Sequence, residues 1–148
     1  MQFTFNEEQD QLRATAQKFF ADKSPTAEVR RLMETQQGYD PVVWTQLSSE
    51  LGFTATHIPE VYGGLGLSYT ELGILFEEMG RTLFCAPFLA TAVAATAIMN
   101  VATESEKSEL LPDIATGTRI ATLAVFETSG QWGSDSIKLS AKNAHLNG

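Results

Sequence analysis

The chain has 148 residues, with 10 Lys+Arg against 18 Asp+Glu, a formal net charge of −8. Phosphate neutralisation needs clustered Lys and Arg, so this balance argues against nucleic-acid binding and against electrostatic docking to an anionic membrane. A single cysteine, Cys85, excludes an internal disulfide and a cysteine-built metal cluster, and favours a reducing compartment, with the cytoplasm as the expected location.

The acidic segment Met1–Asp10 lacks a basic residue and is not a signal peptide. Asn6 with Gln9 three residues on is a weak capping box, and Leu12, Ala16, Phe19 and Phe20 follow at helical spacing. Ser24-Pro25 restarts a helix that runs to about Gln37, with Gly38 as its stop. Asp40-Pro41 starts a third, whose buried face is Val43, Trp44, Leu47 and Leu51, and which Gly52 ends. Residues 53–67 read as a long irregular connection. Ser68 and Glu71 make a proper capping box before the stripe Leu72, Leu75, Phe76 and Met79, which Gly80 and Cys85-Ala86-Pro87 punctuate. Phe88 to Val101 is apolar nearly all round and is expected to be the central, most buried helix. The uncharged run from Thr82 to Thr103 approaches spanning length, but Pro87, Asn100 and its threonines favour a buried helix over a membrane span. Thr103 and Glu106 cap a last helix, which Pro112 is expected to kink or break and Gly117 to end. Ile120 to Phe126 then reads as a strand, 128–135 as a Gly/Ser loop, and Ile137 to Ala141 as a half-buried strand. Two strands do not make a stable sheet alone. The expected fold is therefore mainly α: an all-α helical bundle over 1–118, then the incomplete start of a β domain over 119–148.

Few residues carry obvious chemistry. Gly63-Gly64-Leu65-Gly66 lacks the preceding strand and the lysine of a phosphate loop, so it reads as a turn into a capped helix. His57 and His145 have no ligand partners at metal spacing, and no metal site is expected. Glu77 and Glu78 are adjacent on a helix, point in different directions and cannot form a dyad. Cys85 reads as a buried, inert thiol. The run Leu123–Glu127 followed by Gly133-Ser134-Asp135 is a strand and glycine loop whose backbone can approach an anion or a planar ring.

The pattern as a whole resembles the N-terminal part of the acyl-CoA dehydrogenase family. The residues that carry it are Phe5-Asn-Glu-Glu-Gln-Asp-Gln-Leu12, Leu51-Gly-Phe53, Ile58-Pro-Glu-Val-Tyr-Gly-Gly-Leu-Gly66 and Glu77-Glu-Met-Gly-Arg-Thr-Leu83. Leu110-Leu-Pro-Asp-Ile-Ala-Thr-Gly117, Glu127…Gly133-Ser134-Asp135 and Leu146-Asn-Gly148 continue it in order. The resemblance implies an N-terminal helical domain, a β-barrel-like domain and a C-terminal four-helix domain, of which this chain supplies the first and the start of the second. It implies FAD, an acyl-CoA substrate oxidised to the 2-enoyl-CoA, an electron-transfer flavoprotein as acceptor, and a dimer or tetramer of like or unlike subunits. The family's glutamate base lies in the C-terminal portion, so no residue of this chain is assigned as catalytic. Carried over by position, Val125, Phe126, Glu127, Gly133 and Ser134 line the cofactor, and Ser134 is also the substrate-contact candidate. Two departures bear on flavin contact: Phe126-Glu127-Thr128 stands where the family commonly has Thr-Glu-Pro, and the loop to Gly133 is longer. They leave room for a non-catalytic partner subunit of the same ancestry. An unrelated helical interaction module is the third reading.

Overall fold

Three capping boxes set where the long helices begin. In the computed structural model, which describes residues 4–125, 127, 130, 131, 133, 135, 137–142 and 145–147, helix α1 spans Glu7–Lys23, α4 Tyr69–Arg81 and α6 Glu104–Ala115. Asn6 with Gln9, Ser68 with Glu71 and Thr103 with Glu106 each close the reciprocal pair of side-chain to backbone bonds. Each pair satisfies two of the N–H groups that a helix start leaves unbonded, an effect of about 1 kcal/mol per cap. Helix α5 (Phe88–Val101) has no such cap and follows Pro87 directly.

Elsewhere the structure departs from expectation. Helix α2 (Thr26–Met33) takes Pro25 as its N-cap and ends well short of Gln37, the chain turning through 34–39 instead. Helix α3 (Pro41–Thr45) runs into a π-helical turn, Gln46–Glu50, that the spacing did not announce. Gly80 stays inside α4. Pro112 does not end α6, which continues to Ala115. Proline removes one N–H and crowds the carbonyl four residues back, here that of Ser108, which stays within the helix.

Helix α1 packs along α4, and α5 along α6. The first pair closes a core of Ala16, Phe20, Trp44, Leu47, Phe53, Leu72 and Leu75. The second closes a core of Ala55, Ile58, Leu111 and Ile114. Helix α5 joins them, giving Phe88 and Ala92 to the first and Ala95 to the second. It is central as expected, but it is not buried all round. Leu89, Val93 and Val101 are exposed, because an apolar helix buries only the faces its neighbours cover.

After Gly117 the chain has no regular secondary structure over 120–125 and joins no sheet among the described residues. The expected strand over 120–126 is therefore an unpaired run, and Phe126 lies outside the described residues. The second expected strand is displaced towards the C-terminus. Strand β1 spans Ser140–Lys142 and pairs antiparallel with β2, His145–Asn147, in the register Ser140↔Asn147, Ala141↔Leu146, Lys142↔His145.

Candidate functional site

The seam where the run 120–125 leaves the helices is built from side-chain hydroxyls and one indole. Three consecutive carbonyls at the end of α6 are each capped from the segment 44–54. Thr54 Oγ1 donates to Ala115 O at 2.7 Å, Ser49 Oγ to Thr116 O at 3.0 Å, and Trp44 Nε1 to Gly117 O at 2.8 Å. The last carbonyls of a helix have no internal partner, so Thr54 and Trp44 replace water at buried carbonyls and Ser49 caps an exposed one. The π-helical turn brings Ser48 and Ser49 onto this end. Gly117 lies so close that a Cβ there would fall 2.2 Å from Ser48 Cβ. Beyond it, Arg119 N donates to Asp113 O, and Thr91 of α5 bonds both backbone groups of Ala121, at 3.3 and 3.4 Å.

Past this clasp the run is half open to solvent. Leu123 is 47% and Val125 40% exposed. Val125 thus presents an apolar edge where the flavin-lining residues are expected. The carboxylate of Glu127 accepts from the backbone N–H groups of Lys138 and Leu139, at 2.7 and 2.6 Å. Two amide bonds to one carboxylate oxygen make it a brace between the run and the segment returning towards β1. Gly133 has φ +139°, a conformation that side chains rarely adopt. Of the five expected cofactor contacts, Val125, Glu127 and Gly133 are among the described residues, while Phe126 and Ser134 lie outside them.

The remaining candidates resolve as structure. Residues 55–67 form a compact loop bonded to itself, with Leu65 N–H donating to Ala55 O, Gly66 to Ile58 O and Leu67 to Thr56 O. The glycine cluster lies in the turn before α4, as read from the sequence, and at Gly64 a Cβ would meet the Ile58 carbonyl oxygen at 1.9 Å, a close backbone approach that the spacing did not announce. Glu77 is exposed and Glu78 buried, but the two do not point apart as expected: both carboxylates reach Arg13 and Arg81. Cys85 is half-buried rather than fully buried, its thiol 3.6 Å from Leu83 O. No cluster of metal-ligating side chains occurs among the described residues. Among the described residues, too, no helix is long and apolar enough to cross a membrane.

His57 is a buried, hydrogen-bonded loop histidine that ties the 55–67 loop to α5. Its Nε2 lies 3.2 Å from both Ala92 O and Thr96 Oγ1, while Nδ1 is buried without a partner. Burial pushes its pKa down, and the bond to Ala92 O opposes this only in part. Glu71, which accepts from Gln9 and Ser68, is pushed down to about 2. The unfolded chain therefore takes up protons before the folded one at both sites. Stability is expected to be full above about pH 6.5, the ordinary histidine value, and to fall as the pH drops below it. A second decline should follow below the ordinary carboxylate range, down towards pH 2. Thermal melts across pH check this: in His57→Gln the first decline should vanish and the second remain.

Sequence reasoning missed Thr91 and the hydroxyls on the end of α6. The one available signal was a threonine inside an otherwise apolar helix face.

Comparison with known proteins gives this seam its context. Residues 6–118 match the family described as acyl-CoA dehydrogenase, N-terminal domain. The chain belongs to the acyl-CoA dehydrogenase family. It is 33% identical over 118 residues to the acyl-CoA dehydrogenase IpdE2 of Mycolicibacterium smegmatis, covering 80% of this chain and 37% of that one. Among solved structures, a variant of the Tcur3481-Tcur3483 steroid ACAD matches with TM-score 0.76 and 33% identity, over 82% of this chain and 33% of the other. An acyl-CoA dehydrogenase from Bacillus anthracis complexed with FAD matches with TM-score 0.75 and 25% identity, over 91% of this chain and 23% of the other. The chain thus spans between 23% and 37% of the length of these three acyl-CoA dehydrogenases. The matched region ends at residue 118, one residue past the Gly117 carbonyl that Trp44 holds.

Proposed function

We propose that this chain forms the helical domain and the first flavin-facing segment of an FAD-dependent acyl-CoA dehydrogenase, which converts an acyl-CoA thioester to its 2-enoyl-CoA. The observation that carries the reading is the half-exposed run 120–125, held by α5 and α6, in a chain whose relatives bear that name. The residues present fit a planar ring. Leu123 and Val125 offer an apolar edge, and Glu127 braces the segment through the two backbone amides on its Oε1. The cofactor, when bound, supplies the oxidising power that the side chains lack. The chain's own part is to hold that edge still and keep water from one side of it. The proton-abstracting base belongs to the family's C-terminal portion, so Val125, Phe126, Glu127, Gly133 and Ser134 are proposed as cofactor contacts and Ser134 also as a substrate contact. A CoA thioester, perhydroaromatic or aliphatic, is the proposed substrate class, and an electron-transfer flavoprotein the proposed acceptor. A dimer or tetramer of like or unlike subunits is the proposed assembly.

The test is flavin bleaching. The 148-residue chain with FAD and an acyl-CoA should leave the flavin oxidised, whereas the chain assembled with the remaining family domains should bleach it. Bleaching by the chain alone would overturn the placement of the base, and an assembled protein that takes up no FAD would overturn the whole reading. A second reading, a non-catalytic partner subunit, is favoured by Phe126 in place of the family's hydroxyl side chain. Under it, Phe126→Thr should raise the FAD affinity of the assembled protein. Unchanged affinity removes its support.

A further inference from the structure

Threonines inside helices ordinarily turn their hydroxyl back to the carbonyl four residues earlier. Thr15, Thr45 and Thr96 do so here, donating to the carbonyls of Gln11, Pro41 and Ala92. Thr91 does not. The Pro87 carbonyl four residues back takes the backbone N–H of Thr91, and the hydroxyl is turned out of α5 towards Ala121. There it donates to Ala121 O and accepts from Ala121 N. A single hydroxyl thus meets both backbone groups of one residue, which in a sheet a neighbouring strand would do. The side chain is 1% exposed, so water does not compete for it. Upstream, the Trp44 bond to Gly117 O fixes the other end of the same crossing, leaving only 118–120 between the two anchors.

The geometry points to Thr91 as the positioning residue that sets the heading of the run 121–125 as it leaves the helical body, and through it the apolar edge of Leu123 and Val125. This rests on the proposed flavin-facing role of that edge. Val125 lies four residues past the clasp. Losing the bond at Ala121 would therefore free the heading of 122–125, all of which are exposed, relative to α5.

The experiment compares Thr91→Val, which keeps the shape and removes the hydroxyl, with Thr91→Ser, which keeps the hydroxyl. Thr91→Ala is the substitute if the valine does not fold. In the 148-residue chain, amide exchange at Ala121 should accelerate about tenfold in Thr91→Val, the size of one lost hydrogen bond. Backbone order parameters over 121–125 should fall towards about 0.6. Amides of α1 and α4 should keep their protection, and Thr91→Ser should restore Ala121. In the assembled flavoprotein, Thr91→Val should weaken FAD binding about tenfold while Thr91→Ser binds as the parent does. Unchanged exchange and order at 121–125 in Thr91→Val would overturn the clasp. Faster exchange with unchanged FAD affinity would overturn its positioning role. An assembled parent protein that binds no FAD would sink the proposed function, while the exchange measurement would still decide whether Thr91 sets the run.

Discussion

Gly117→Ala is expected to destabilise the helical body by about 3 kcal/mol, lowering its melting temperature by roughly 10 °C. Two causes act together. Gly117 has φ +76°, which costs an L side chain about 1–2 kcal/mol. The added Cβ would also sit 2.2 Å from both Cβ and Oγ of Ser48. Rotating Ser48 moves its Oγ but not its Cβ, so the backbone of the π-helical turn must shift, an overpacking cost of about 1–3 kcal/mol. That shift would strain the bonds from Ser49 and Trp44 to Thr116 O and Gly117 O. A double-mutant cycle separates the causes. In a Ser48→Gly background the steric part disappears, and Gly117→Ala should cost only the conformational part, about 1–2 kcal/mol. Denaturant melts of the four proteins give the coupling. Additive costs would show that Ser48 and Gly117 do not press on one another.

That contact illustrates which parts of the molecule could be read in advance. Each capping box is closed by residues three apart, so Asn6, Ser68 and Thr103 declare themselves in sequence. The limits of α5 follow from Pro87 and from the helical run itself. The end of α6 is different. Trp44 and Gly117 are 73 positions apart, and nothing in the spacing of either predicts an indole on that carbonyl. The π-helical turn is hidden for the same reason: Gln46–Glu50 has ordinary helical composition, and its extra residue is stabilised by what it reaches in α6. Pro112 was over-weighted because a proline's local penalty was compared with nothing, whereas Leu111 and Ile114 on either side are buried in a core that holds the helix together. The run after Gly117 shows the opposite error. Its apolar, β-branched residues suit a strand, but strand pairing needs a neighbour, and among the described residues 120–125 has none. At the candidate site the chemistry of Glu127 was legible only as a position. That its carboxylate is occupied by two backbone amides follows from where 138 and 139 return.

Glu78→Ala is expected to cost about 1–2 kcal/mol, against less than about 1 kcal/mol for Glu77→Ala on the next residue. The two carboxylates lie in one cluster with Arg13 of α1 and Arg81 of α4, and by distance alone Glu77 is the better partner, 2.7 Å from Arg13. Burial reverses the order. The Glu77 side chain is 48% exposed, so water screens its pairs and replaces them when they are lost. Glu78 is 2% exposed, with Arg81 Nε at 3.3 Å and Arg13 Nε at 3.9 Å. Arg13 Nε is itself buried with no hydrogen-bond partner, so removing Glu78 takes away the carboxylate nearest that nitrogen, while the Arg13 Nη2 group stays on Glu77. Arg13 also lies over the Phe5 ring, 4.5 Å from its centroid, so any shift of the guanidinium should loosen the start of α1 as well. Glu78→Gln keeps the volume and an acceptor but loses the charge, and should fall between the alanine variants. Replacing Glu78 and Arg13 together by methionine should recover much of the loss, because the buried Arg13 Nε is then removed along with its carboxylate. Urea melts rank the five proteins. A Glu77→Ala cost equal to that of Glu78→Ala would mean that distance, and not removal from water, decides which carboxylate holds α1 against α4.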